Sequence, residues 1–139
     1  MRAYVQEATA EQLTGEMGSG ATNIAEIVTE IRGKLPVLGT PPVLDPEQAR
    51  FRLFDSITTF LKNAAQRQPL MLVLDDLHWA DRSSLLLLEF LAREIGTSRL
   101  LLVCSYRDVE VSRRHPLSQT LGALVREQLF HRVQLDGLT

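Results

Sequence analysis

The first half of the chain is patterned for helices. Apolar positions recur every three or four residues over 1–32, which predicts short amphipathic helices, with a break at Gly18–Ser19–Gly20. Between 33 and 46 the chain carries Pro36, Gly39, Pro41 and Pro42, which predict a surface connection. Asp45 followed by Pro46 is typical of a helix start, and the predicted long helix ends near Gln68. Its apolar stripe is Phe51, Phe54, Ile57, Phe60, Leu61 and Ala64.

Two continuous apolar runs follow and have the length of strands. They cover 70–75 and 100–105, and such uniformly apolar runs predict parallel strands buried on both faces. Between them a helix is predicted over 82–95, with Asp81 as its N-cap and Gly96 as its stop.

The last part of the chain continues the alternation of strands and helices. Pro116 opens a predicted helix, and 129–135 form a predicted third strand. The order strand, helix, strand, helix, strand predicts an α/β fold with right-handed parallel crossovers, in which helices cover a parallel sheet to give three layers.

Composition narrows the class of protein. The 139 residues are 45% apolar, enough for a core without staples, and a net charge of −2 gives no basic field for nucleic acid. No apolar run approaches the ~20 residues of a membrane span, and the N-terminus is unlike a signal peptide, so we expect a cytoplasmic protein that binds no membrane. The single cysteine, Cys104, excludes an internal disulfide, and its apolar run favours a core position over a reactive thiol.

Candidate chemistry is concentrated after the first predicted strand, where two carboxylates follow each other. Nucleotide-handling α/β proteins bind Mg²⁺ at the carboxyl ends of parallel strands. Asp75 is therefore a candidate Mg²⁺ ligand and Asp76 a candidate base acting on water. The alternative is that the pair ends a strand and starts a turn, a place where Asp is common.

The string LMLVLDDLHWAD (70–81), followed by a leucine-rich helix and then LLLVCSYRD (100–108), resembles the Walker B and sensor 1 regions of the STAND subgroup of P-loop ATPases. These are AAA-like modules of LuxR-type transcriptional regulators and related signalling proteins. The resemblance covers 45–139 and, more weakly, the preceding helical region. It implies an incomplete ASCE-type P-loop core over 45–139, a helical segment with a Pro-rich connection over 1–44, and ATP with Mg²⁺ as cofactors.

The resemblance also implies roles for individual residues. Asp75 would coordinate Mg²⁺, Asp76 would polarise water, and Arg107 would read the γ-phosphate as the sensor 1 arginine. The alternative for Arg107 is a surface ion pair with Asp108 or Glu110.

The segment after the carboxylates contains His78, Trp79 and Asp81, and each of them also has a structural interpretation. His78 can donate to phosphate, although no Cys or His neighbours suggest a metal ligand. Trp79 is predicted to be a packing anchor, and Asp81 a helix cap.

The glycine-rich phosphate loop of such an ATPase has one weak candidate, GEMGSGAT (15–22). Its spacing fits G-x-x-x-x-G-K-[ST], but Ala21 replaces the lysine and the preceding residues 7–14 are helix-like. We interpret it as a chance match; the alternative is a degenerate loop with weak binding. We expect a piece that starts after Walker A and stops before the helical and output domains that usually follow.

Three functions remain open. The leading one is a fragment of an ATP-binding signalling or transcription-regulatory ATPase, weak or inactive alone, whose partners are the missing portions, nucleotide and, in an oligomer, further copies. The second is a non-enzymatic interaction module using the open sheet or the helix over 82–95. The third, a metal phosphohydrolase built on Asp75 and Asp76, lacks further clustered ligands.

Overall fold

The computed structural model describes residues 1–136, which form two compact units. The first contains Met1–Leu72 and Thr97–Leu101, and the second contains Val73–Gly96 and the residues from Leu102 onward. Among these residues no helix combines the length and apolar character needed to cross a membrane.

The first unit is helical, and local capping sets where its helices begin. The helices are α1 (Arg2–Glu7), α2 (Ala10–Met17), α3 (Ala21–Ile24), α4 (Glu30–Lys34) and α5 (Pro46–Arg67). Thr9 and Gln12 form a capping box at the start of α2. The Asp45 carboxylate accepts from the backbone N–H groups of Glu47 and Gln48, both at 3.0 Å, which confirms the predicted N-cap of α5.

The core of this unit forms where α2, α3 and a 3₁₀ turn over Gly18–Gly20 lie against α5. The predicted stripe is largely confirmed, although Phe51 at its start is 60% exposed. The expected helical run from Ile24 to Ile31 is interrupted, since α3 ends at Ile24 and Ile27 is 45% exposed. Buried apolar side chains include Val5, Leu13, Met17, Ile24, Ile31, Phe54, Ile57, Phe60, Ala64 and Ala65.

Two parallel strands, β1 (Leu70–Leu74) and β2 (Leu100–Cys104), form the sheet. At one end the Leu70 N–H donates to the Arg99 carbonyl, and at the other the Ser105 N–H donates to the Leu74 carbonyl, both at 3.0 Å. The start of β1 thus pairs beside the start of β2 and its end beside the end of β2, so the strands run parallel, and with the helices this confirms the predicted α/β class.

The prediction that these strands are buried on both faces is wrong. Met71 is 66% exposed and Val73 56%, while the intervening side chains of β1 are half-buried. Successive strand residues point to opposite faces, so one set of side chains is partly covered and the other lies in solvent. Cys104 is likewise exposed, whereas a core position was predicted. Its neighbours still desolvate the thiol enough to raise its pKa above the ordinary value of 9.0.

The predicted third strand is also wrong. Residues 129–135 have no regular secondary structure, and the sheet described for residues 1–136 has two strands. The Arg132 guanidinium instead contacts both carboxylate oxygens of Asp108 at 2.6 Å, and Val133 and Leu135 are exposed. Alternating apolar residues form a strand only where a neighbouring strand edge pairs with their backbone groups, and no strand within residues 1–136 pairs with 129–135.

The second unit packs two more helices, α6 (Arg82–Glu94) and α7 (Pro116–Arg126). Both begin as predicted: the Asp81 carboxylate accepts from the Ser84 N–H at 2.8 Å, and Pro116 follows the capping residue of α7. Its core cluster consists of Leu77, Leu85, Leu88 and Leu117. Leu77 directly follows the paired carboxylates in sequence, so one end of their loop is anchored in this cluster.

Candidate active site

The paired carboxylates directly follow β1, and a serine that directly follows β2 holds them. The Ser105 hydroxyl donates to Asp75 Oδ1, and Ser105 Oγ itself accepts from the Asp76 backbone N–H at 3.1 Å. The Ser105 carbonyl also accepts from the Leu77 N–H at 2.9 Å. Ser105 therefore fixes the carboxylate loop to the end of the neighbouring strand. Ser105 was not among the predicted site residues, although a polar residue directly after the second of two parallel strands is a signal that the sequence contains.

Asp76 has an unusual backbone conformation, with φ 55° and ψ 46° in the left-handed region. Outside glycine, Asp and Asn are among the few residues that adopt this region readily. The conformation turns the chain sharply from β1 into the 3₁₀ turn Leu77–Trp79. It leaves the Asp76 side chain 52% exposed, so its carboxylate is open to water and to a ligand.

His78 lies beneath this loop, and its side chain is only 3% exposed. Its Nδ1 accepts from the Arg107 backbone N–H at 3.4 Å, and its Nε2 lies 3.8 Å from Asp76 Oδ1. The imidazole therefore stands between the two loops that carry the other predicted site residues.

Arg107 is exposed, and no residue in the described part of the chain forms an ion pair with its guanidinium. The alternative partner Asp108 is instead bound by Arg132. Arg107 is thus a cation at the same end of the sheet as the carboxylates, without an ion-pair partner among residues 1–136.

Trp79 departs from the prediction that it is a packing anchor. It is 79% exposed, and its ring contacts the His78 imidazole at a centroid distance of 5.6 Å and a tilt of 47°. The sharp turn at Asp76 explains the difference, because it directs His78 inward and leaves Trp79 on the surface.

The carboxylate pair suits Mg²⁺ that arrives with phosphate. Mg²⁺ keeps several waters and is commonly held by one or two carboxylates together with substrate phosphate oxygens. Asp75 and Asp76 are both exposed, and among residues 1–136 no three His, Cys, Asp or Glu side chains are grouped as a metal cage. Such a pair fits a metal that completes its shell with ligand and water oxygens.

The candidate phosphate loop at 15–22 lies within helices, and no strand of the described chain precedes it. Two of its three glycines have structural reasons, one conformational and one steric. Gly18 ends α2 with φ 51°, and a Cβ on Gly20 would lie 2.9 Å from the Cβ of Ser56 on α5. Ala21, in the lysine position, is 3% exposed. Gly18 therefore serves the turn after α2, and Gly20 and Ala21 serve packing within the helical unit.

A separate polar cluster lies in the first unit around Glu16, which is buried. The Tyr4 hydroxyl is 2.8 Å from both carboxylate oxygens of Glu16, and Arg67 approaches it at 3.8 Å. Burial and the bond to Glu16 raise the pKa of Tyr4 to about 12. The cluster satisfies a buried charge within the helical unit.

Comparison with known proteins adds one finding. The family model described as the AAA ATPase domain matches residues 2–103, a range that includes Asp75, Asp76 and His78 and ends before Ser105 and Arg107. No curated protein and no solved structure matches the chain significantly. The match extends through the N-terminal helical segment and covers more than half of the sequence. The chain therefore belongs to the AAA ATPase domain family.

Proposed function

We propose that this chain is part of an ATP-binding module of a STAND-type signalling or transcription-regulatory ATPase. The observation that carries the proposal is the pair of exposed carboxylates at the end of β1, tied by Ser105 to the end of β2, in a member of an ATPase family. In this proposal the two strands belong to an ASCE-type P-loop core, and the protein acts in the cytoplasm.

The proposed roles follow from position and exposure. Asp75, oriented by the Ser105 hydroxyl, would ligate Mg²⁺, which neutralises phosphate charge when bound. Asp76 would orient a water and accept its proton at a carboxylate oxygen. Arg107 would contact phosphate oxygens through its planar donor fork.

Residues 1–136 supply no phosphate loop, because the only sequence match is helical and carries a buried alanine in place of lysine. The oriented N–H groups and the lysine that cradle phosphates contribute much of nucleotide binding in P-loop proteins. We therefore expect this chain to bind Mg·ATP in the millimolar range or more weakly.

Paramagnetic line broadening tests weak binding directly. Mn²⁺ replaces Mg²⁺, and Mn·ATP is added in millimolar amounts to ¹⁵N-labelled protein. We expect selective broadening of the amides at 75–78 and 105–107, and its loss in Asp75→Asn. Asp55→Asn, which removes an exposed carboxylate of α5 in the first unit, is the matched control and should retain the effect. Equal broadening in both variants, or none near residue 75, would refute the proposal.

Hydrolysis tests the role of Asp76 in a full-length protein with measurable turnover. Asp76→Asn keeps the size and the left-handed conformation but removes the proton acceptor. We expect turnover to fall by about 10²-fold or more, within the range for loss of general base catalysis. Unchanged turnover would refute the role given to Asp76.

A second function, a non-enzymatic interaction module, is favoured by the exposed apolar side chains of the strands. Met71 and Val73 are exposed on β1, and Leu101 and Val103 on β2, although monomeric proteins seldom leave contiguous apolar surface open. Dimerisation that increases with concentration in sedimentation velocity, together with no binding of a fluorescent nucleotide at millimolar concentration, would favour this function over the first.

A further inference from the structure

The buried imidazole of His78 has no role yet in the proposed site. It contacts two segments separated by 29 residues in sequence, the carboxylate turn after β1 and the segment after β2. Both segments belong to the second unit. A histidine placed only to fill space needs neither contact, and a leucine would fill it without a polar atom.

The contact at Nδ1 determines where the imidazole carries its proton. Because Nδ1 accepts from the Arg107 N–H, it holds a lone pair, and the neutral ring carries its hydrogen on Nε2. Nε2 is the atom that faces Asp76 Oδ1. The ring therefore presents an acceptor to the Arg107 backbone and a donor to the Asp76 carboxylate.

The distance on the Asp76 side is compatible with a bond that tightens when a ligand binds. At 3.8 Å it is longer than a direct hydrogen bond, but the Asp76 side chain is half exposed and can rotate toward Nε2. Polar contacts in active sites are often long without ligand and shorten in the complex. The buried ring, in contrast, is held in place by its surroundings.

We propose that His78 is a positioning residue that couples the orientation of the Asp76 carboxylate to the backbone at Arg107. Its functional consequence rests on the proposed function, in which these two residues act on one nucleotide. Through the ring, a movement of the Arg107 segment changes the direction of the Asp76 carboxylate, and the reverse also holds. This gives His78 an indirect role, instead of the direct donation to phosphate expected from sequence.

Two variants with amide side chains, His78→Asn and His78→Gln, test the contacts of the two ring nitrogens separately. In His78→Asn the side-chain oxygen can replace Nδ1 as acceptor but nothing replaces Nε2, whereas in His78→Gln the side-chain nitrogen can replace Nε2 as donor but nothing replaces Nδ1. The readouts are hydrogen exchange of the Arg107 amide and the ¹³C shift of the Asp76 carboxylate, both recorded without nucleotide.

We expect a crossed pattern. His78→Gln should accelerate exchange at Arg107 by about five- to tenfold, the effect of one lost hydrogen bond, and leave the Asp76 shift near that of the wild type. His78→Asn should change the Asp76 shift and leave exchange at Arg107 near that of the wild type. The crossed pattern would show that each ring nitrogen holds one of the two segments, as the coupling through an intact ring requires. If both variants change both readouts together, or neither readout, His78 does not bridge the segments in this way and the coupling is refuted.

A measurement on the unaltered chain covers the case in which the variants fold poorly. Long-range ¹H–¹⁵N spectra of the three histidines report which ring nitrogen carries the proton. A neutral His78 protonated at Nε2 supports the proposal, and a proton on Nδ1 overturns it. Since no readout involves nucleotide, failure of the Mn·ATP experiment would refute the proposed function and leave this result standing.

Discussion

Replacing Gly20 by Ala should destabilise the helical unit, although alanine is the better helix former. The added Cβ would lie 2.9 Å from Ser56 Cβ and 3.3 Å from Ser56 Cα. Carbon atoms pack favourably at about 3.5–4.0 Å, so the overlap is roughly 0.6 Å or more. Both Ser56 atoms are fixed by the backbone of α5, and rotating its hydroxyl cannot relieve the clash.

The magnitude follows from two opposing effects. Overpacking of this kind costs about 1–3 kcal/mol. The lower conformational entropy of the unfolded alanine chain returns about 0.4–1 kcal/mol, since φ −76° and ψ −13° at Gly20 suit alanine. The difference between these ranges is about 0–2.6 kcal/mol. Because the 2.9 Å approach joins two carbons that the backbone fixes, we expect a net loss in its upper part, about 1–2 kcal/mol in the free energy of unfolding, measured by urea titration with far-UV circular dichroism.

Gly15→Ala is the matched control, because the same candidate loop contains it and a Cβ there meets nothing within 4 Å. It lies inside α2, where alanine should stabilise by about 0.5–1 kcal/mol. Neither variant should alter Mn·ATP broadening. Equal stability changes at the two positions would refute the packing explanation, and weaker Mn·ATP broadening in both would restore the phosphate-loop interpretation.

Three further outcomes are expected. Ser105→Ala removes the donor to Asp75, so it should reduce Mn·ATP broadening and lower the free energy of unfolding by about 0.5–1.5 kcal/mol. Ser105→Thr keeps the hydroxyl and should retain both. An alanine variant that behaves as wild type would contradict the role of the hydroxyl. The stability advantage of wild type over Tyr4→Phe should be complete below pH 10 and fall as the pH rises toward about 12, because the folded state raises that pKa; an advantage independent of pH in urea titrations would count against it. Cys104 should react with Ellman's reagent without denaturant, slowly at pH 7 and faster above pH 9, whereas reaction only after unfolding would show that it is buried.

Helix starts were predictable because their determinants are local. Thr9, Asp45 and Asp81 each cap a helix within three residues of their own position, so the sequence contains both donor and acceptor. The type and direction of the strands were predictable for a related reason, since a helix between two apolar runs favours parallel pairing.

Burial was less predictable because it depends on distant parts of the chain. The run that forms β1 is as apolar as a strand covered on both faces, yet Met71 and Val73 are exposed. The alternation at 129–135 resembles a strand, but pairing requires a free edge that no local pattern specifies.

The placement of the candidate site residues was predictable in part. The position of Asp75 and Asp76 at the end of β1 follows from the sequence, whereas the bond from Ser105 depends on the register of two strands. The inward His78 and outward Trp79 depend on the left-handed turn before them, which two adjacent aspartates do not by themselves specify.

That turn at Asp76 also limits which acid can stand there. The left-handed region costs most residues about 1–2 kcal/mol, and Asp and Asn are the usual exceptions. A glutamate at this position would have a longer side chain but would pay the free-energy cost of the left-handed backbone conformation. The turn therefore favours aspartate over glutamate at position 76, and the short side chain of Asp76 requires a reacting water to approach the loop closely.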